Sequence, residues 1–188
     1  MSIKSINPAT NHTTQSFQTW QAEDINTALS LVESAQAGWA DLDIEQRAPY
    51  MHKLAQIFRQ RRDEFARLIT EEMGKLLKEA QAEIEKCAVC CEYYADHAKK
   101  FLADEEITSD ASHSFVVYQP LGTLFCIMPW NFPFWQLIRA AAPAMMAGNA
   151  VVLKHASNVP RCALALEEAF YQASFPANTF RTFMITAE

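Results

Sequence analysis

The sequence predicts an α/β protein in which N-terminal helices pack on a parallel sheet. Two observations support this. Residues before about 104 repeat apolar side chains at helical spacing, whereas from Ser114 the sequence becomes β-branched and aromatic. From there strand and helix patterns alternate, which is the order typical of a parallel sheet with helical crossovers. With 188 residues, of which 50% are hydrophobic, the chain can bury the core of one domain or most of a larger one.

Three long helices are predicted before the sheet. After an initial loop around Asn7-Pro8, residues 22–39 place apolar side chains on one helix face, and residues 44–73 continue this spacing. Gly74 follows as a C-terminal stop, because glycine readily adopts the left-handed conformation that ends helices. A third helical pattern covers residues 76–104. Its charged side chains, including those of Glu79, Glu83, Lys99 and Lys100, are interpreted as a solvated face.

The third helix also carries three of the five cysteines, Cys87, Cys90 and Cys91. An odd number of cysteines in a helical pattern argues against a disulfide framework. Their spacing places them on one helix face, so a metal site is one interpretation, but a fourth ligand such as His97 lies more than two turns away from Cys87. Buried free thiols are the favoured interpretation, and no metal site is predicted.

The second half of the chain alternates strands and helices. Residues 120–122 predict a turn between two strands, residues 134–146 an apolar helix, 150–154 a buried strand, 160–173 a helix and 180–186 another strand. Open α/β sheets bind ligands at the carboxyl ends of their strands, so the site is expected there. The sequence stops directly after the third strand, which predicts a sheet that is cut short.

Composition excludes several kinds of partner. The formal net charge is −6, and lysines and arginines are scattered among acids, so no nucleic-acid or anionic-membrane partner is expected. No apolar run reaches the roughly 20 residues of a membrane helix, and the N-terminus lacks an apolar signal core, which favours a cytoplasmic protein. Only four glycines occur, without a Gly-rich phosphate motif, so any nucleotide site is built differently or completed elsewhere.

One asparagine stands in the apolar segment MPWNFPFWQLIR, residues 128–139. A neutral amide N–H can stabilise a developing oxyanion, so Asn131 is a candidate catalytic donor. The alternative is a structural asparagine that caps a turn fixed by its neighbouring prolines. Arg139 lies on an otherwise apolar helix and needs an anion, which is either a ligand or a structural acid from this chain or a neighbouring subunit.

Motifs along nearly the whole chain resemble those of the aldehyde dehydrogenase superfamily and occur in the same order as in that superfamily. They are NPAT at residues 7–10, Trp39, Arg47, EMGK at 72–75, PLG at 120–122, PWNFP at 129–133, AGN at 147–149 and VLK at 152–154. Within the superfamily, the sequence is most similar to bacterial succinate-semialdehyde dehydrogenases. The resemblance implies helices on an incomplete Rossmann-like parallel sheet, with less than half of the usual polypeptide present.

The resemblance also implies a division into segments. Residues 1–104 would be the N-terminal helical part of the cofactor-binding domain, and residues 105–119 the start of an oligomerisation hairpin. Residues 120–188 would be the first half of the Rossmann-like cofactor-binding sheet. The catalytic domain is expected to be absent, and a homo-oligomer is expected for the full-length protein.

The family oxidises aldehydes through a cysteine thiolate and transfers a hydride to NAD or NADP. The resemblance assigns Asn131 as the oxyanion donor and Lys154 as a ligand of the adenosine ribose, although an ordinary strand-end lysine is the alternative. Ile127, Met128, Pro129 and Trp130 would lie along the cofactor, chiefly through their main chain, while their side chains can equally belong to the core.

Substrate binding is assigned to the helix after Asn131. In semialdehyde dehydrogenases with a matching arginine, that residue holds the remote carboxylate of the substrate, which here would be Arg139. Phe132, Trp135 and Gln136 would line the tunnel between this carboxylate and the aldehyde. The implied substrate is a small aldehyde, with succinate semialdehyde as the favoured compound.

Three positions depart from the family pattern: Leu76 and His155 replace prolines, and Ser157 replaces the glutamate of NAD-preferring members. Without that carboxylate, NADP should be accepted readily; the alternative role for Ser157 is the N-cap of the next helix.

No cysteine or glutamate of this chain matches the family's nucleophile or general base, so the chain alone is expected to be inactive. A non-catalytic binding or regulatory protein is the rival interpretation. A different enzyme with Cys91 or Cys162 as nucleophile is another.

Overall fold

The computed structural model describes residues 2–186, which form helices and strands in three sheets. The elements in chain order are β1 (Ser2–Ile6), β2 (Thr13–Gln18), α1 (Ala22–Ala40), α2 (Ile44–Gln60), α3 (Arg62–Met73), α4 (Leu77–Phe101), β3 (Glu105–Glu106), β4 (Phe115–Val116), β5 (Thr123–Met128), α5 (Trp135–Met146), β6 (Ala150–His155), α6 (Pro160–Gln172) and β7 (Phe180–Thr182).

The second half forms the predicted parallel sheet, with strand order β5-β6-β7. Residues 150–153 of the central strand are buried, as expected for a strand covered on both faces. β7 ends at Thr182, four residues before the predicted end. Phe183 N still donates to Leu153 O at 2.8 Å, but Met184 O then accepts from Trp20 N, which turns the chain away from β6.

The first residues form a hairpin, where a loop was predicted. β1 and β2 pair antiparallel, and the turn between them is stabilised by Asn7 Oδ1, which accepts from Ala9 N at 2.9 Å. Ile3 and Ser5 are the buried positions of β1, while β2 is mostly exposed. Because the hairpin buries only one apolar and one polar side chain, its sequence lacks the usual apolar alternation of a strand pair.

The predicted helix over residues 44–73 is two helices, α2 and α3, which meet at Arg61. Arg61 has φ −103° and ψ 17°, outside the helical range. Both helices pack on α4, so their apolar spacing continues across the junction and does not reveal the break. The predicted stop at Gly74 is confirmed, since this residue caps α3 with φ 77° in the left-handed region.

The larger of two hydrophobic clusters lies between the helical layer, which consists of α2, α3 and α4, and the sheet with its crossover helices α5 and α6. Phe58 and Phe65 of the helical layer contact Phe134, which precedes α5, with ring centroids 6.2 and 5.1 Å away. All three side chains are fully buried. At the other end of α5, Trp39 Nε1 donates to Met145 O at 2.8 Å. Buried Arg47 donates to Met146 O at 3.0 Å, which satisfies a second terminal carbonyl.

The N-terminus of α6 is capped by a side chain from the helical layer. Its N-cap residue, Val159, supplies no side-chain hydrogen bond. Glu72, which is 3% exposed, accepts from Arg161 N at 3.0 Å through Oε1 and from Cys162 N at 2.8 Å through Oε2. The carboxylate thereby satisfies two amides that the helix cannot pair itself and complements the helix dipole.

Replacement of Glu72 by alanine should lower the free energy of unfolding by about 2–4 kcal/mol, because two buried amides lose their acceptor. Glu71→Ala is the matched control. Glu71 pairs with Arg161, but its side chain is 44% exposed, so its loss should cost less than about 1 kcal/mol. Denaturant or thermal unfolding of both variants measures the difference. Equal destabilisation by the two changes would contradict the capping role of Glu72.

Candidate functional site

The carboxyl ends of β5 and β6 bring the expected cofactor residues together. Ile127 lies beside Lys154 in the parallel register, and Met128 lies beside His155. Ala156 N donates to Met128 O at 3.0 Å, which ties the turn after β6 to the end of β5. Ile127 is 67% exposed, so its side chain is not a core residue in this structure. The lysine and the apolar strand end therefore share one edge of the sheet.

Ser157 lies in the exposed turn that follows β6. The alternative role as N-cap of the next helix is wrong, because the N-cap is Val159 and Pro160 is the first helical residue. Ser157 is two residues too early, and Glu72 satisfies the amides that a capping serine would bind. The serine hydroxyl is consequently left at the surface, on the same turn that follows Lys154.

Residues 129–134 form the loop that joins β5 to α5, and Asn131 lies in its middle. Trp130 and Phe132 on either side are 50% and 44% exposed. The Asn131 side chain is also exposed and, within the described residues 2–186, forms no hydrogen bond that would cap the turn. The amide therefore projects from a loop whose far end is anchored in the core by Phe134.

A buried ion pair lies directly behind this loop. Glu83 of α4 was interpreted as part of a solvated face, and this is wrong: its side chain is 1% exposed and forms an ion pair with Lys75, which is 10% exposed. Glu83 Oε1 accepts from Phe134 N at 2.9 Å and from Trp135 N at 3.1 Å. The charge is buried because it caps α5, whereas Glu79, one turn earlier, is exposed as predicted.

Two lysines contact the aromatic residues assigned to the substrate tunnel. Lys75 Nζ lies 3.7 Å from the centroid of the Phe132 ring, and Lys86 Nζ of α4 lies 3.9 Å from that of Trp135. Both distances are within the range of cation–π attraction. The resemblance marked Lys75 only as part of a motif, and no sequence signal pointed to Lys86. Their contacts with the aromatic rings depend on helix packing.

Gln136 and Arg139 extend the same segment along α5. Gln136 is half-buried in the first turn, and its N–H donates to Phe132 O at 2.9 Å. Arg139 is exposed, four residues after Trp135, so the two side chains share one face of the helix. Within residues 2–186 no carboxylate forms an ion pair with Arg139. The guanidinium is accordingly accessible to an anion from outside this part of the chain.

His155 links the end of β6 to the Asn131 loop. Its Nε2–H donates to Pro133 O at 2.8 Å, while Nδ1 accepts from Ala156 N at 2.8 Å. These two bonds require the neutral ring with its proton on Nε2. Burial, with a smaller contribution from Lys154, lowers the pKa of His155 to about 4. The proline usual in the family could not form either side-chain bond.

The cysteines are buried thiols, as predicted, except Cys90, which is half-buried. Burial raises the pKa of every one of them, and the neighbouring Glu72 carboxylate raises that of Cys162 further. This contradicts the interpretation of Cys91 or Cys162 as an activated nucleophile. Within residues 2–186, no cluster of three His, Cys, Asp or Glu side chains is arranged to hold a metal ion. None of the helices described here has the length and apolar character needed to cross a membrane.

Parallel strands with helical crossovers, and polar side chains at their carboxyl ends, define an α/β protein of the class that binds ligands at that edge. The chain belongs to the aldehyde dehydrogenase family, whose model matches residues 1–187. The predicted family and fold are thus confirmed.

Two curated relatives and one solved structure illustrate the similarity. A probable NADP(+) succinate-semialdehyde dehydrogenase of Synechocystis is 51% identical over 98% of this chain, and an NADP(+) succinate-semialdehyde dehydrogenase of Mycobacterium bovis is 40% identical over all of it. The succinic semialdehyde dehydrogenase of Streptococcus pyogenes, in complex with NADP+, superimposes with a TM-score of 0.95 at 34% identity over 98% of this chain. The chain spans only 41%, 42% and 41% of these three proteins.

Protonation of His155 should weaken the fold in acid. The pKa of His155 is about 4 in the folded protein, whereas an unfolded histidine titrates near 6.5. The contribution of the neutral ring to the free energy of unfolding is therefore complete above pH 6.5 and is lost as the pH falls to about 4. The loss should reach about 3 kcal/mol. NMR titration of the ring tests the pKa, and unfolding of wild type and His155→Gln across this range tests the linkage. A ring that titrates near 6.5 would show that His155 is not held neutral by the fold.

Proposed function

We propose that this chain is the N-terminal part of an NADP-dependent aldehyde dehydrogenase that oxidises succinate semialdehyde to the carboxylic acid. The observation that carries the proposal is the placement of an exposed arginine, Arg139, on the helix that begins just after the exposed Asn131 amide. A reacting semialdehyde has two charged ends. The Asn131 amide suits the developing oxyanion at one end, and the Arg139 guanidinium suits the carboxylate at the other. The names of the relatives from Synechocystis and Mycobacterium support the same substrate.

Asn131 is proposed to donate its amide N–H to the oxygen of the aldehyde as nucleophilic attack makes that oxygen anionic. A neutral amide is suited to this role because it stabilises the charge without losing its own proton. The nucleophile and the general base would come from outside residues 1–188. The raised pKa values of all five thiols support this, since none of them is poised as a thiolate.

The cofactor is proposed to lie across the carboxyl ends of β5 and β6. Lys154 and Ser157 would bind its ribose, and the exposed strand end at Ile127 with the main chain of residues 128–130 would contact the remainder. A lysine, a surface hydroxyl and the absence of a carboxylate at position 157 fit the 2′-phosphate of NADP, and NAD is the alternative cofactor. When bound, NADP supplies the acceptor for the substrate hydride.

The substrate is proposed to enter along Phe132, Trp135 and Gln136, with its carboxylate held by Arg139. Phe132 and Trp135 present aromatic surface beside the loop. Exposed Lys86, which is stacked on Trp135, adds positive charge there, whereas the charge of Lys75 is balanced by Glu83. A positive entrance attracts a substrate with a remote carboxylate and gives no advantage to an uncharged aldehyde.

Residues 105–119 are proposed to contribute to a homo-oligomer of the full-length protein. β3 and β4 pair antiparallel as a short ribbon that is exposed on both strands. The exposed apolar side chains include Phe115 of β4, at 59%, and Ile107, directly after β3, at 48%. Exposed apolar side chains on a strand edge are a usual feature of subunit contacts.

Loss of the Arg139 guanidinium should discriminate between substrates. In the full-length enzyme, Arg139→Ala should reduce kcat/KM for succinate semialdehyde by roughly 30- to 1000-fold, which corresponds to about 2–4 kcal/mol for a charge-assisted pair. Butanal, which has no carboxylate, should be oxidised nearly as well as by the wild type. Steady-state kinetics with both aldehydes measures the two effects.

Arg62→Ala, at an exposed arginine on α3, is the control and should leave kcat/KM unchanged for both substrates. Equal losses for succinate semialdehyde and butanal in Arg139→Ala would mean that Arg139 supports the fold, and the assigned substrate would lose its main support.

A carboxylate at position 157 should reverse the proposed tolerance for NADP. Ser157→Glu places a negative charge beside the ribose, where it repels a 2′-phosphate and can accept hydrogen bonds from ribose hydroxyls. The Kd of NADP+ should rise by at least tenfold, while that of NAD+ stays within about threefold, since like-charge contact costs on the order of 1–2 kcal/mol. Fluorescence titration of the full-length enzyme with each dinucleotide measures this. Similar changes for both cofactors would place Ser157 outside the ribose site.

A further inference from the structure

The Asn131 loop lacks local side-chain bonds that would fix it. Phe134 is the N-cap of α5 and supplies no side-chain hydrogen bond, whereas helices usually begin with a capping Ser, Thr, Asp or Asn. The amide of Asn131 is itself exposed and free of hydrogen bonds within residues 2–186. Whatever orients this amide must therefore act on the residues around it.

The buried pair of Glu83 and Lys75 contacts three of the four residues that follow Asn131, two through their backbone amides and one through its ring. The Glu83 carboxylate accepts from the N–H groups of Phe134 and Trp135, and the Lys75 ammonium lies on the ring of Phe132. Phe132 follows Asn131 directly. The pair thus fixes the loop on the C-terminal side of the oxyanion donor, and Glu83 lies 51 residues before Phe134 in the sequence.

Stability alone does not account for this arrangement. Two charged side chains that are 1% and 10% exposed incur a desolvation cost, and apolar residues of similar size usually serve a core as well or better. A carboxylate held rigidly by its own cation is nevertheless a precise anchor for two backbone amides. An oxyanion donor needs such precision, because it acts only within about 0.5 Å of its productive position.

We propose that the Glu83–Lys75 pair is a positioning element for catalysis, which holds the Asn131 amide where the oxyanion develops. The inference rests on the oxyanion role proposed above for Asn131. Neither side chain needs to touch the substrate: Glu83 sets the start of α5, and Lys75 sets the Phe132 ring. Both effects reach the reaction through Asn131.

A double-mutant cycle in the full-length enzyme separates this role from a structural one. Glu83→Gln keeps the size of the side chain but leaves Lys75 without its counter-charge and weakens the bonds to the loop. It should lower kcat by about 10- to 100-fold for succinate semialdehyde and butanal alike, with the Kd of NADP+ within about twofold of wild type. In an Asn131→Ala background the same change should cost less than about threefold, because the group it positions is gone.

Glu79→Gln, at the exposed glutamate one turn earlier on α4, is the matched control and should leave kcat unchanged. If Glu83→Gln gives no soluble enzyme, Lys75→Met enters the cycle in its place, with the same expected non-additivity through the Phe132 contact. Equal fold-losses in the wild-type and Asn131→Ala backgrounds would overturn the positioning role while leaving the oxyanion role intact. Activity of Asn131→Ala within about threefold of wild type would instead remove the oxyanion assignment itself.

Discussion

The first amides of the two crossover helices, α5 and α6, have no local side-chain caps, and the fold is arranged around that requirement. Neither Phe134 nor Val159 supplies a capping group, yet buried amides must find acceptors. Glu83 and Glu72 from the helical layer provide them, each with bonds to two successive amides. Because these carboxylates belong to the helical layer and the amides to the crossover helices, the two layers are joined by directional bonds as well as by apolar packing.

The proposed site takes its geometry from this junction. Glu83 and Lys75 hold the Asn131 loop from the helical layer, and His155 holds it from the sheet through Pro133 O. Lys154, which is proposed to bind the cofactor, precedes His155 directly in β6. The same strand therefore positions both the Asn131 loop and this lysine. A motion of β6 relative to the helical layer would displace both together. The substitution of His155 for the family's proline thus adds a contact between the two halves of the site.

The parts of the fold that were predicted correctly are those in which neighbouring residues in the sequence determine the burial or the backbone conformation. Residues 150–154 are apolar enough to specify a buried strand, and Gly74 marks a helix end by its conformation alone. The break at Arg61 was missed because the helices on both sides pack on the same partner. Glu83 was misassigned because a glutamate at helical spacing usually faces water, and its buried partners are distant in sequence. Family motifs indicated the Asn131 segment, but they do not specify what supports it.

The distance in sequence between each carboxylate and its helix has a consequence for how the chain folds. Glu83 meets α5 across 51 residues and Glu72 meets α6 across 90. Loops of this length are slow to close, and folding rates fall as native contacts become less local. During synthesis the helical layer emerges first, with two carboxylates that have no amides to bind until the crossover helices follow. We therefore expect docking of the layers and ordering of the Asn131 loop to occur together and late in folding, so that the loop becomes structured only when the edge of the sheet proposed to bind the cofactor does.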